Sequence, residues 1–228
     1  HCDAVDTVER LAREEGIDCD FNRCGRVKLA AKPAHYDKLV RAHDLLAAEV
    51  DSNVRLVPPE QVQDEVGSDA FHGALIQTTS AQLHPARFGV GLAEAAARAG
   101  ARIYEHAEVT GLDRLPHGWR VTSARGTISA DQVLVATGGA PAAAPFGFFR
   151  RRIISVGSFV IATEPLNNAT IDRLLPGRRN YVTSKNIGNY FRLTPDNRLI
   201  FGGRARFAIS DPRSDLKSGR ILEETMGA

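Results

Sequence analysis

Val133-Leu134-Val135-Ala136-Thr137-Gly138-Gly139 runs four apolar residues into a hydroxyl and two glycines. An uninterrupted apolar run of this length predicts a strand covered on both faces. Ligands of open α/β sheets bind beyond the carboxyl ends of such strands. Gly138 and Gly139 would let backbone approach a bound molecule closely, and the Thr137 hydroxyl can donate a hydrogen bond. An ordinary strand with a flexible turn accounts for the same residues equally well, so the surroundings carry the weight.

Immediately upstream, Arg102 to Glu105 and Glu108 to Leu112 read as short strands. Trp119 to Ser123 alternates after a His117-Gly118 turn, and Thr127 to Ala130 follows Arg125-Gly126. A free strand edge near Val109 could offer the one donor and one acceptor that an adenine requires. Before these strands, Pro85 opens a helix with Phe88, Leu92, Ala95, Ala96 and Ala99 on one face, Glu94 and Arg98 spaced as an ion pair, and Gly100 at its end. Gly89-Val90-Gly91 inside this helix imitates the start of a dinucleotide fingerprint. That fingerprint must follow a strand and open a helix, whereas Pro85 has already opened this one, and Glu94 stands where glycine or alanine belongs. Close helix packing is the expected role of these glycines.

Farther out, residues 3–15 predict a helix ended by Gly16, Gly25 to Ala31 a strand, and Pro33 the start of a helix with Tyr36, Leu39, Val40, Leu46, Ala47 and Val50 as its stripe. Pro58-Pro59 starts a short helix, and Phe71 to Gln77 reads as a strand. Downstream, a Pro/Ala-rich connector covers residues 140–146, Ile153 to Thr163 predicts a long strand, and Asp215 to Met226 a helix. Tyr190 to Leu193 and Leu199 to Phe201 form a hairpin pattern around Pro195-Asp196-Asn197. Alternation places Tyr190 and Arg192 on one face, Phe191 and Leu193 on the other. Arginine can grip a carboxylate with two parallel hydrogen bonds, and tyrosine can set a hydroxyl beside an apolar wall. A solvated surface hairpin is the competing reading. Helices and strands mix without strict alternation. The fold class expected is therefore mixed, α+β with α/β: a mixed-sheet substrate domain attached to part of a Rossmann-like nucleotide-binding domain.

The 228 residues are 43% apolar and 25% charged with net charge +2, so no global charge draws the chain to nucleic acid or anionic lipid. Arg150-Arg151-Arg152 is a local basic spot without a nucleic-acid-binding module, and no nucleic-acid partner is expected. No apolar run approaches the ~20 residues of a membrane span, and no signal-peptide pattern is present. Cys2, Cys19 and Cys24 suit neither a closed disulfide framework nor a zinc site, which points to a reducing cytoplasm and no metal. His35 and His43 stand two helical turns apart, which is not a ligand spacing. A chain that opens at His1 already in a helical pattern and stops just after another is expected to be an internal piece of a longer protein.

Several of these segments together, in order, resemble one family. They are Glu15-Gly16-Ile17-Asp18-Cys19-Asp20-Phe21, Gly25-Arg26-Val27-Lys28-Leu29-Ala30, His84-Pro85 with Arg98-Ala99-Gly100-Ala101, Glu108-Val109, Val135-Ala136-Thr137-Gly138-Gly139, Ala162-Thr163-Glu164-Pro165-Leu166, and Tyr190-Phe191-Arg192 to Gly202-Gly203-Arg204. The chain resembles the D-amino-acid oxidase-like FAD-dependent oxidoreductases, in particular the bacterial branch of glycine/D-amino-acid oxidases and gamma-glutamylputrescine oxidoreductases.

The resemblance implies FAD as cofactor and a small amine or amino acid as substrate. Its C–N bond would be oxidised by hydride transfer to flavin N5, a reaction that needs positioning more than a protein acid or base. It implies backbone contact of Val109 with adenine, and Thr137, Gly138 and Gly139 against the ADP half. Tyr190 and Arg192 would lie on the substrate side. Residues 1–21 would join the FAD domain, 22–98 and 150–210 would form the substrate domain, 99–149 the middle of the FAD domain, and 211–228 a terminal helix. The family's N-terminal G-x-G-x-x-G and C-terminal glycine-rich segment are not among these residues, so the chain alone is expected not to hold FAD tightly. Oxidation of a hydroxy acid or polyol, and a non-catalytic binding domain of the same fold, are the alternatives.

Overall fold

The computed structural model describes residues 2–138, 147–150, 152–153, 156–206 and 212–227. Along the chain these form α1 (Cys2–Glu14), β1 (Arg26–Leu29), α2 (Pro33–Glu49), β2 (Arg55–Val57), a 3-10 helix (Pro59–Asp64), β3 (Ala74–Gln77) and α3 (Pro85–Arg98). Then come β4 (Val109–Arg114), β5 (Trp119–Ser123), β6 (Gly126–Ala130), α4 (Gly147–Arg150), β7 (Gly157–Ala162) and α5 (Asn168–Leu174). Last are β8 (Asn180–Thr183), β9 (Tyr190–Leu193), β10 (Leu199–Arg206) and α6 (Pro212–Gly227). Two compact units result, one of His1–Arg98, Ser158–Ala205 and Asp211–Ala228, the other of Ala99–Gly157 and Arg206–Ser210.

The first unit is built on a seven-stranded mixed sheet in the order β2-β3-β1-β8-β9-β10-β7. Its decisive joint is parallel: β1 lies beside β8, with Val27 against Tyr181 and Leu29 against Thr183. That pairing brings strands from the first eighty residues and strands from beyond residue 156 into one sheet. The β1–β3, β8–β9 and β9–β10 ladders are antiparallel.

Strand alternation then sorts the side chains. Val27, Leu29, Ile76, Tyr181 and Leu193 fall on one face and meet Val62, Val66, Ile171 and Leu175 from the 3-10 helix and α5 regions. Each fully buried aliphatic side chain contributes about 1.5–3 kcal/mol by leaving water. Tyr181, Phe191 and Phe201 continue this face as a ring stack across three strands, with centroids 5.2 and 5.7 Å apart. On the opposite face α2 packs over the β2–β3 end, where Leu39, Val54 and Leu75 meet, and its His35 shares a 2.6 Å hydrogen bond with Ser184 just beyond β8.

The second unit contains a separate antiparallel meander, β4-β5-β6. Arg114 lies over the Trp119 ring at 4.8 Å, and Gly118 turns the first hairpin with φ +87.

Several expectations change. Val133 to Ala136 forms no strand, and Leu134 is 90% exposed. Among the described residues no strand lies beside this run, so its backbone has no ladder to complete. Arg102 to Glu105 is likewise not a strand. The apolar stripe of α3 is narrower than its sequence suggests: Gly91 and Ala95 are buried, Ala96 and Ala99 exposed. Arg98 reaches Glu15 at 3.2 Å rather than pairing with Glu94. Gly91 lies against Ile17, where a Cβ would come within 2.4 Å of the isoleucine side chain, so this glycine serves helix packing.

Candidate active-site face

On β1, Val27 and Leu29 are fully buried, so Arg26 and Lys28 project from the other side of the sheet. The same alternation on β8 turns Asn180 and Val182 that way, and on β9 Tyr190 and Arg192. Lys28 stands beside Val182, and Val182 stands opposite Tyr190. Gly202 completes this row from β10, opposite Tyr190. Away from α2, the sheet therefore presents a polar, basic face. A cavity of about 390 Å³ opens on it, lined by Arg26, Lys28, Asn180, Lys185 and Tyr190, among others.

Tyr190 is 39% exposed, and its hydroxyl shares a 2.7 Å hydrogen bond with Ser158 Oγ on β7. Its ring occupies the space above Gly202, where a Cβ would lie 2.1 Å from Cε2. Arg192 is half-buried and donates to Gln82 Oε1 at 3.3 Å and to the Leu83 carbonyl at 3.2 Å. These contacts fix the guanidinium through two neutral acceptors, and among the described residues it has no ion-pair partner. A guanidinium has five N–H donors, so others remain for a ligand.

Beneath this face, burial pushes the Tyr181 phenol up to about 12; the backbone at Arg179 opposes the rise without completing a normal hydrogen bond. Burial also raises the Cys24 thiol. Cys19 and Cys24 are both free thiols, and the described residues contain no cluster of three or more His, Cys, Asp or Glu side chains suited to a metal. No helix among them is long and apolar enough to cross a membrane. On the core side of the sheet, a second cavity of about 390 Å³ is mainly apolar, with Phe191, Leu193, Phe201 and Met226 in its wall.

In the second unit, Val109 begins β4 opposite Ser123, and the ladder is irregular between Val109 and Gly111. Among the described residues β4 is an edge strand of its sheet. Thr137 is exposed and Gly138 adopts φ +66 with open space around its α-carbon. Gly139 lies outside the described residues. Gly89 and Gly91 sit within α3, and among the described residues no helix N-terminus follows a glycine turn.

Sequence reading singled out Tyr190 and Arg192 but passed over Arg26, Lys28 and Lys185. The signal for the first two was the strict alternation Arg26-Val27-Lys28-Leu29. What it lacked was β8, where Asn180-Tyr181-Val182-Thr183 shows no polar–apolar alternation.

The chain is similar to known oxidoreductases. A probable oxidoreductase OrdL of Haemophilus influenzae is 28% identical over 98% of this chain and 51% of its own length. The gamma-glutamylputrescine oxidoreductase of Escherichia coli is 29% identical over 90% of this chain and 47% of its own length. The chain thus spans about half the length of these curated relatives. Among solved structures, glycine oxidase from Geobacillus kaustophilus has the same fold with a TM-score of 0.70, at 21% identity over 90% of this chain and 54% of that one. L-proline dehydrogenase from P. horikoshii superposes with a TM-score of 0.73, at 16% identity over 97% of this chain and 60% of that one. The family model described as FAD dependent oxidoreductase (DAO) matches residues 2–226, and this chain belongs to that FAD-dependent family.

Proposed function

We propose that the protein containing this chain oxidises the C–N bond of a small amine or amino acid, with the basic sheet face as the wall of its substrate site. The observation that carries this reading is the placement of Arg192, which has no ion-pair partner among the described residues, beside Tyr190 on one sheet face. Relatives named for gamma-glutamylputrescine and glycine support the substrate class. In this reading the first unit is the substrate domain and the second contributes to the FAD domain.

Arg192 receives the substrate carboxylate through its free N–H groups. Tyr190, held by Ser158, sets a hydroxyl and a ring edge beside it. A fixed cation close to the substrate nitrogen disfavours the ammonium form and so favours the neutral amine that C–N oxidation requires. FAD, when bound, supplies a hydride acceptor at flavin N5. The residues present suit its nucleoside end, through the β4 edge at Val109 and the open turn at Thr137 and Gly138. Among the described residues no glycine turn opens a helix toward its pyrophosphate.

The test is anaerobic stopped-flow absorbance of the protein expressed from its whole reading frame, mixed with amines, amino acids, hydroxy acids and polyols. Bleaching by amines or amino acids is expected. No bleaching by any of them would overturn the proposal, and bleaching by alcohols alone would move the substrate to a C–O carbon.

A further inference from the structure

We infer that the substrate carries a second anionic group, held by Arg26 and Lys28 at the far side of the same face. This rests on the reading of that face as the substrate wall.

Several cations elsewhere in the chain have carboxylate partners. Arg23 pairs with Asp6 and Glu9, Arg55 with Glu65, Arg87 with Asp20, Arg98 with Glu15, and Arg178 with Asp172. Arg26, Lys28 and Lys185 line one cavity together, and among the described residues none has an ion-pair partner. Arg26 Nε is moreover buried and unmatched by any acceptor among the described residues. A buried donor without a partner costs more than an exposed one, and clustered like charges repel. An anion entering this cavity would relieve both.

Geometry limits what that anion is. Lys28 and Tyr190 flank Val182 on one cross-strand row, two strand spacings or roughly 10 Å apart at the backbone. Arg26 lies beside Asn180 on the neighbouring row. Tyr190 leans over Gly202 toward Ser158, so the long side chains of Arg26 and Lys28 must bridge most of that distance of roughly 10 Å. With the distance so bridged, an amine bearing two carboxylates a few bonds apart fits. A substrate with a single carboxylate would leave the β1 cations unmatched.

The experiment titrates the FAD-loaded protein, expressed from its whole reading frame, with glutarate and with butyrate, following the perturbation of flavin absorbance. Glutarate is expected to bind at least tenfold more tightly than butyrate. Arg26→Met with Lys28→Met should erase that difference while leaving the Kd for butyrate unchanged. If the double variant does not fold, Lys28→Gln and Arg26→Gln singly should each narrow the gap severalfold. Equal binding of the two acids by the parent, or a preference that survives the substitutions, would overturn the inference. So would a loss of FAD affinity in the variants with glutarate binding intact, which would give these cations to a cofactor phosphate. Amine-driven bleaching with no glutarate preference would defeat the second anion site alone. A glutarate preference without bleaching by any amine would defeat the proposed reaction and leave the two-anion site standing.

Discussion

Gly202 stands directly opposite Tyr190 across the β9–β10 ladder, and the tyrosine ring fills the space that a side chain at 202 would claim. A Cβ there would meet Cε2 at 2.1 Å and Cζ at 2.5 Å. Gly202→Ala should therefore swing the Tyr190 ring away and loosen its hydrogen bond to Ser158. A stability loss of about 1–3 kcal/mol is expected from overpacking. Urea unfolding measures it, and flavin reduction kinetics should show a larger effect on KM than Tyr190→Phe causes.

Arg192→Ala removes the proposed carboxylate grip together with the contacts to Gln82 and Leu83. KM for substrates bearing a carboxylate should rise by roughly ten- to a hundredfold, corresponding to the ~1.5–3 kcal/mol of a hydrogen bond to a charged group. Amines without a carboxylate should show no such rise. An unchanged KM for every carboxylate substrate would remove Arg192 from the site.

Tyr181 links stability to alkaline pH. Its folded value of about 12 exceeds the ordinary value of 10.0, because burial disfavours the phenolate. The unfolded chain releases this proton first, so the contribution is complete below pH 10 and is lost as pH rises from about 10 to 12. The loss should be on the order of 3 kcal/mol. Urea midpoints for the parent and Tyr181→Phe should diverge from the expected slope only in that window, with the Phe variant less sensitive. Identical pH profiles would show that the phenol ionises freely.

The two glycines of α3 should respond in opposite directions. Gly89 is exposed with open space around it, so Gly89→Ala should stabilise by about 0.5–1 kcal/mol through helix propensity. Gly91 is buried against Ile17, and Gly91→Ala should destabilise by about 1–3 kcal/mol. Equal effects of either sign would contradict the packing described for α3.

Where pattern and environment coincide, the sequence was readable. Pro85 and Gly100 mark the ends of α3, with His84 Nδ1 accepting from Arg87 N at its start. The Tyr190–Leu193 strand declared both its faces, since alternation alone separates Arg192 from Phe191. Val133 to Ala136 misled for the opposite reason: its apolar run describes a strand inside a sheet, and the described residues put no strand beside it. β8 escaped because Asn180-Tyr181-Val182-Thr183 does not alternate polar with apolar, and its place beside β1 depends on a contact across some 150 residues. The basic cavity went unseen with it. Arg26 and Lys28 become neighbours of Tyr190 only once β8 stands between them.

Each central strand of the sheet works in two registers. Its inward residues, Val27 and Leu29, Tyr181 and Thr183, Phe191 and Leu193, answer to the ring stack and the helices behind it. Its outward residues, Arg26 and Lys28, Asn180 and Val182, Tyr190 and Arg192, answer to whatever is bound. A mutation at an odd position and one at the next even position thus face different selection. Descendants of one ancestor could exchange outward side chains, and with them substrates, while inheriting the inner face almost untouched. The period-two backbone separates the part that can diversify from the part that must persist.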